Sequence, residues 1–362
     1  MKRKLRHWIS EAVTRLFRLL PVKNRVFFYT IRRNVVPLEN MKCVYDAVHG
    51  TKVLFAQMLP HSFMQMLRAR YFLLTSRVIV TDDYIRYLRQ VRLRPQQKVI
   101  QLWHAAGAFK RFGLDAPSRL SPDEERATHD QYTDVIVSGE AVREIYAGAF
   151  GVSPSVIRPL GLPRTDALRD PARKNQTAAR VFEEHPDWKG KTIYLYAPTF
   201  RELDGTVTDF DPKLDFAALD AALSENELLL VKRHPVMQTP LVTAQTERIF
   251  GIDELSAEDL LAVSSVLITD YSSLIFDAFL CGVPSVFYCP DLDRYERSFY
   301  AGFASLIEAN CIKDAAMLLP LVRRTAETGM PADLSQLIAS QLSACDGHAA
   351  ARVTALIQSY LS

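Results

Sequence analysis

The stretch VLITDYSSLIFDAFLCGVPSVFY, residues 266–288, decides the fold. Its first four residues, Val266–Thr269, form a short β-branched apolar run, long enough for a buried strand and too short for a helix. Asp270-Tyr271-Ser272-Ser273 follows, polar and rich in cap formers. Leu274, Ile275, Ala278 and Phe279 then recur at helical spacing, and Gly282 with Pro284 ends the helix. Residues 286–288 open the next strand. Strand, polar turn, helix, strand is part of a doubly wound α/β sheet, which binds ligands beyond the carboxyl ends of its strands. Ser272 and Ser273 fall on the first turn of that helix, where unbonded N–H groups and the positive end of the helix dipole attract an anion. Taken alone, the turn is better read as a serine cap.

The same alternation extends to both sides. Short apolar runs at 26–29, 53–56, 77–80, 99–102, 134–137 and 156–160 are interleaved with helical patterns such as 62–74 and 141–150. A second series has strands at 192–197 and 228–232, a helix near 216–223, and then the opening stretch. The predicted domains are a basic amphipathic helix at 1–22, a Rossmann-like domain at 23–166 and a second one at 191–345. A polar linker at 167–190, with Pro171, Pro186 and Gly190, joins them, and a C-terminal helix at 346–362 folds back on the first.

The chain has 362 residues, about two domains' worth, and no run of about 18 apolar residues that would span a membrane. Five cysteines without metal-like spacing fit a reducing compartment better than a disulfide framework. Ten of the 44 Lys and Arg lie in residues 1–33 with a single acid, Glu11, so the remainder holds 34 basic and 40 acidic residues. An acidic body argues against nucleic acid as a partner. Within residues 1–20, Leu5, Trp8, Ile9, Ala12, Val13, Leu16, Phe17 and Leu20 line one helix face, with Lys2, Arg3, Lys4, Arg6, Arg15 and Arg18 mostly opposite. Such a helix suits an anionic membrane surface, and equally suits packing on its own domain with a solvated basic face.

Four further loops follow apolar runs and hold reactive residues. In QLWHAAGAFKRFG, His104 follows a strand and Gly107 permits close backbone approach; GLPRTD supplies Arg164. Thr199 and Arg201 come from YAPTFRE, and Lys232, Arg233 and His234 from VKRHP. A lone histidine or arginine in such a place is usually structural. Cations and hydroxyls at the carboxyl ends of so many strands, facing one crevice, point to a di- or polyphosphate ligand.

In this order, WHAAGAFKRFG, GLPRTD, YAPTFRE, KRHP and ITDYSSLIFDAFLCGVPSVFYCPDLDRY resemble the CDP-glycerol glycerophosphotransferase family of teichoic-acid and capsule synthesis. The resemblance implies a glycosyltransferase-B-like fold of two facing Rossmann-like domains. It also implies a CDP-alditol donor carrying glycerol or ribitol, a lipid-linked glycan acceptor, and peripheral work at the cytoplasmic face of the membrane. His104 and His234 match the family's two essential histidines. Trp103, Arg164, Pro198, Thr199, Lys232, Arg233, Ser272, Ser273 and Asp277 match positions lining its donor pocket, to which Gly107, Arg201, Thr269 and Asp270 are added from the loops themselves. The family's commonest pattern has Gly-Thr-Pro after the first histidine, where this chain has Ala105-Ala106-Gly107. In-line transfer to an acceptor hydroxyl needs positioning and charge neutralisation. A histidine near the unperturbed pKa of ~6.5 can take the hydroxyl proton, a role given to His104, with His234 stabilising phosphates or protonating the CMP leaving group; the two roles are exchangeable. No cofactor is expected, nor a metal: Asp291-Leu292-Asp293 is read as a loop feature. The alternative enzyme is a sugar transferase of the same shape using a UDP- or GDP-sugar; a non-catalytic membrane-bound partner is the alternative outside enzymes.

Overall fold

The computed structural model describes residues 11–31, 39–57, 62–116, 120–203, 206–208, 210–242, 246–295 and 298–362. Contacts divide the chain into two units, one of residues 1–108, 112–167 and 341–362, the other of residues 109–111 and 168–340.

The first unit is built on strands β1 (Lys23–Thr30), β2 (Lys52–Ala56), β3 (Ser76–Thr81), β4 (Lys98–Gln101), β5 (Asp134–Ile136) and β6 (Ile157–Arg158). They form one parallel sheet in the order β2-β1-β3-β4-β5-β6. The run at 156–160 yields only two strand residues. Pro154 sits in a 3₁₀ turn before it, and Pro159, lacking an N–H, cannot extend the ladder. Val26, Phe28, Val78, Val80, Ile100 and Ile136 pack with Met41 and Val44 of helix Asn40–Ala47 and with Val353 and Ile357 of helix Ala349–Ser359. The C-terminal helix is therefore part of this core. Asp166 fixes its start, its carboxylate accepting from the N–H groups of Ala349 and Ala350 at 2.9 and 2.8 Å.

Of the expected basic helix, residues 1–10, with Leu5, Trp8 and Ile9, lie outside the described residues. Residues 11–17 are helical. Thr14 accepts from Arg70 Nη1 at 2.9 Å and the Phe17 ring meets Tyr71 edge-on at 5.4 Å, so one side of this turn packs on the unit. Leu16 and Leu19 remain 59% and 81% exposed. Among the described residues, no helix is long and apolar enough to cross a membrane.

The second unit holds strands β7 (Thr192–Tyr196), β10 (Glu227–Val231), β11 (Ile249–Gly251), β12 (Val266–Thr269), β13 (Ser285–Tyr288) and β14 (Cys311–Ile312), with a small hairpin of β8 (Arg201–Leu203) and β9 (Thr206–Thr208). The main sheet is parallel in the order β11-β10-β7-β12-β13-β14. Numbered within the unit this is 3-2-1-4-5-6, the Rossmann order, and its switch point lies between β7 and β12. The opening stretch of sequence supplies β12, helix Leu274–Leu280 and β13. The polar stretch 167–190 carries a helix, Pro171–Glu184, capped by Asp170, with Val181 buried. Its composition is that of a helix with a largely exposed surface.

Candidate active site

His104 stands three residues past the end of β4 on a turn with a conformational cost. Trp103, just before it, has φ +54°, a region that non-glycine residues rarely adopt. The turn is held at several points. Trp103 N–H donates to Gln101 Oε1 at 2.9 Å, its carbonyl accepts from Asn40 Nδ2 at 3.0 Å, and its ring packs among Tyr84, Phe112 and Phe150. Gly107, φ +62°, closes the loop, its N–H bonded to Ser138 Oγ at 3.0 Å and its carbonyl to the Tyr146 hydroxyl at 2.8 Å. Trp103, expected to line the donor pocket, is 5% exposed and acts as the wall that carries His104. The His104 ring is exposed and lies on the indole at 4.2 Å between centroids, with Nδ1 3.4 Å from the Asp82 carbonyl oxygen. A carbonyl only accepts, so this contact is a hydrogen bond in the tautomer protonated at Nδ1, which puts the basic lone pair on Nε2.

Arg164 follows β6 on a short 3₁₀ turn, its N–H donating to Asn40 Oδ1 at 2.9 Å. Gly161 at the start of that motif has φ +82°, and a Cβ there would sit 2.0 Å from the Ala344 carbonyl oxygen. The motif's glycine is required by close packing of the C-terminal segment.

In the second unit, the neighbouring strands β10, β7, β12 and β13 all end in polar loops at one edge. Asp270, after β12, is fully buried at the switch point. Its Oδ1 accepts from Thr199 N–H at 2.8 Å, Thr199 Oγ1 at 3.0 Å and its neighbour Tyr271 N–H at 2.6 Å, and its Oδ2 pairs with Arg201 Nη1 at 2.8 Å. Arg201 also makes a two-pronged bond to Asp291, at 2.6 and 3.0 Å. Expected as a phosphate ligand, this guanidinium is instead engaged by two carboxylates, because a cation only 12% exposed requires counter-charge. Thr269, also fully buried, gives its hydroxyl to the Ala197 carbonyl at 2.7 Å. Asp277 is buried in its helix, and Pro198 lies in the loop leaving β7. Asp293 pairs with Lys313 at 2.8 Å, so the two acids of Asp291-Leu292-Asp293 have separate basic partners. Among the described residues, no three His, Cys, Asp or Glu side chains are grouped to hold a metal.

After β10, Lys232 Nζ donates to the Asp253 carbonyl at 2.8 Å and Arg233 pairs with the Asp253 carboxylate at 2.9 Å while reaching the Gln238 carbonyl at 2.7 Å. These cations shape the loop that presents His234. That ring is half-buried against Phe200, and its Nδ1 accepts from the Val236 N–H at 3.3 Å. A neutral His234 therefore carries its proton on Nε2, the reverse of His104. Burial, and then the Lys110 ammonium, hold its pKa below the usual range, with the Asp270 carboxylate opposing. After β12, Ser272 Oγ accepts from Leu274 N–H at 3.2 Å, and Ser273 is exposed at the N-cap with its own hydroxyl making no cap bond.

A sequence model of the CDP-glycerol:poly(glycerophosphate) glycerophosphotransferase family matches residues 37–359. The chain belongs to that family. A teichoic acid ribitol-phosphate polymerase of Staphylococcus aureus is 32% identical over 87% of the chain, which spans 65% of that polymerase's length. A teichoic acid ribitol-phosphate primase of Bacillus spizizenii is 35% identical, with 81% of the chain and 77% of the primase covered. In fold, the chain is similar to the wall teichoic acid polymerase TagF, with a TM-score of 0.75 at 18% identity over 99% and 97% of the two chains. Every candidate residue named from the sequence falls inside the family match.

Motif reading misses four positions that hold these loops. Asn40 ties the His104 turn to the Arg164 turn, and Ser138 braces Gly107. Asp82 acts through its backbone, which no side-chain pattern reveals. Asp291 anchors Arg201; its pairing is between residues 90 apart in sequence, and only the arginine-after-strand pattern hinted that an acid should be near.

Proposed function

We propose that the chain moves glycerol phosphate or ribitol phosphate from a CDP-alditol to a hydroxyl of a lipid-linked glycan, releasing CMP, in the synthesis of a teichoic-acid or capsule-like polymer. The observation that carries this reading is the pair of histidines, each just past the carboxyl end of a parallel strand, with neighbours that call for opposite states at Nε2. His104 Nε2 takes the acceptor hydroxyl proton as the oxygen attacks phosphorus. The new O–P bond forms as the bond to CMP breaks, and His234 Nε2–H donates to the phosphate oxygens or the departing CMP. The Asp270–Arg201–Asp291 network fixes the loops of the switch point, where Ser272, Ser273 and the first N–H groups of the following helix receive a donor phosphate. Calorimetry tests the donor class: CDP-glycerol or CDP-ribitol should bind, and tight binding of a UDP-sugar with neither CDP-alditol bound would overturn the reading.

Replacing both Ser272 and Ser273 by alanine should weaken CDP-alditol binding by about 1–3 kcal/mol, since bonds to charged groups contribute about that much and water replaces part of the loss. The same calorimetry measures it. Unchanged affinity would reduce this turn to a helix cap.

The membrane role belongs to the exposed side of the N-terminal helix, where Leu16 and Leu19 stand beside the exposed Arg15 and Arg18. Each basic side chain near an anionic cytoplasmic leaflet contributes about 1 kcal/mol, a contribution screened within about 8 Å at physiological salt. Because Thr14 and Phe17 pack on the unit, changing Leu16 and Leu19 to aspartate is a cleaner test than deleting the helix. The double variant should sediment less with anionic vesicles while retaining activity on a soluble acceptor. Equal sedimentation would show that this helix serves only its own domain.

A further inference from the structure

We infer that Asn40 is a positioning residue for the proposed phosphoryl transfer, setting the turn that presents His104; this rests on the function proposed above. Asn40 is 3% exposed and is the first residue of helix Asn40–Ala47, whose Met41 and Val44 are anchored in the core of the first unit. Its amide reaches two other loops at once. Nδ2 donates to the Trp103 carbonyl at 3.0 Å, and Oδ1 accepts from the Arg164 N–H at 2.9 Å. Since a carbonyl only accepts and a backbone N–H only donates, the two partners leave one orientation for the amide.

The Trp103 carbonyl belongs to the peptide that joins Trp103 to His104, so Asn40 acts on the plane from which the catalytic ring departs. That peptide follows a residue at φ +54°, a conformation that persists only when its surroundings over-determine it. Gln101 holds the amide side of Trp103 and the aromatic cluster holds its ring. Asn40 holds the carbonyl side and, through the same side chain, sets the spacing between the His104 turn and the Arg164 turn.

Asn40→Asp distinguishes positioning from simple stability. The carboxyl is close in shape to the amide. When protonated it donates to the Trp103 carbonyl and accepts from the Arg164 N–H; when ionised it sets an acceptor against an acceptor. Burial raises a carboxyl pKa enough for this change to fall between about pH 6 and about pH 9. At the upper end kcat for CMP release should drop by about 10²-fold, the scale of an ångström-sized misplacement, with KM for the CDP-alditol little changed. The ratio of variant to parent kcat should recover as the pH falls. Asn40→Ala should lose kcat with a ratio that does not vary with pH. The charged groups of its own segment, Glu39, Lys42 and Asp46, and those on the bonded loops and the segments tied to them, Asp82, His104, Arg164, Asp166 and Arg352, are common to both variants. Parent-like kcat in Asn40→Ala, or a flat ratio in Asn40→Asp accompanied only by a lower melting temperature, would overturn the inference. A parent that releases no CMP from either CDP-alditol would instead refute the proposed function. Histidine ring NMR then decides the positioning role alone: Asn40→Ala should shift the His104 signals and leave those of His185, in the other unit, in place. Unshifted His104 signals would overturn it.

Discussion

His104→Ala should slow transfer by about 10²–10⁴-fold, the usual contribution of a positioned proton acceptor, while melting near the parent temperature. The ring is exposed, and its stacking partner Trp103 is held independently by Gln101, Asn40 and three aromatic rings. Removing the exposed imidazole therefore opens no core cavity. The loss should fall on kcat with donor affinity preserved, since in the proposed reaction His104 acts on the acceptor hydroxyl. Single-turnover kinetics at saturating CDP-alditol, run beside a thermal melt, measure both quantities. Normal turnover would remove His104 from the chemical step, and a variant that unfolds would make it a structural histidine.

Asp270→Ala should act in the opposite manner, costing about 3–5 kcal/mol of stability, because it breaks a buried ion pair and strips buried donors of their acceptor. Arg201 would keep Asp291 but lose its fully buried partner, and the N–H groups of Thr199 and Tyr271 would lose their shared acceptor. Asp291→Ala is the matched control. Asp291 is 27% exposed, so water can replace part of what it gives Arg201, and the cost should be smaller. Urea titrations of both variants give the comparison. A near-parental midpoint for Asp270→Ala would mean that other contacts hold the loops after β7 and β12.

These two residues also mark what could be read in the sequence. The strand before Asp270 and the helix after Ser273 were legible because their apolar periods, two distinct patterns over few residues, are local properties of the chain. His104 and His234 stood out as candidates through motif and position, and the structure places each just past the carboxyl end of a strand. The fate of Arg201 was not. A cation after a strand reads as a ligand for phosphate, and only the three-dimensional return of Asp270 and Asp291 shows that its donors are already engaged. Trp103 is a related case: its place beside a motif histidine is visible, whereas its left-handed backbone and its burial are products of packing. The stretch at 167–190 looked like a linker because few of its residues are apolar; a helix with only Val181 buried has the same composition. Near the N-terminus, the packing of Thr14 and Phe17 on the unit and the exposure of Leu16 and Leu19 were not legible, because both depend on contacts with residues distant in sequence.

The most direct test of the transferase assignment is the mass of the product. The purified protein is incubated with a lipid-linked glycan acceptor and, separately, CDP-glycerol, CDP-ribitol and a UDP-sugar, and the lipid fraction is weighed by mass spectrometry. A gain of one or more alditol-phosphate units with one CDP-alditol, matched by released CMP, is the expected result. A hexose-sized increment from the UDP-sugar, with the acceptor unchanged by both CDP-alditols, would contradict it.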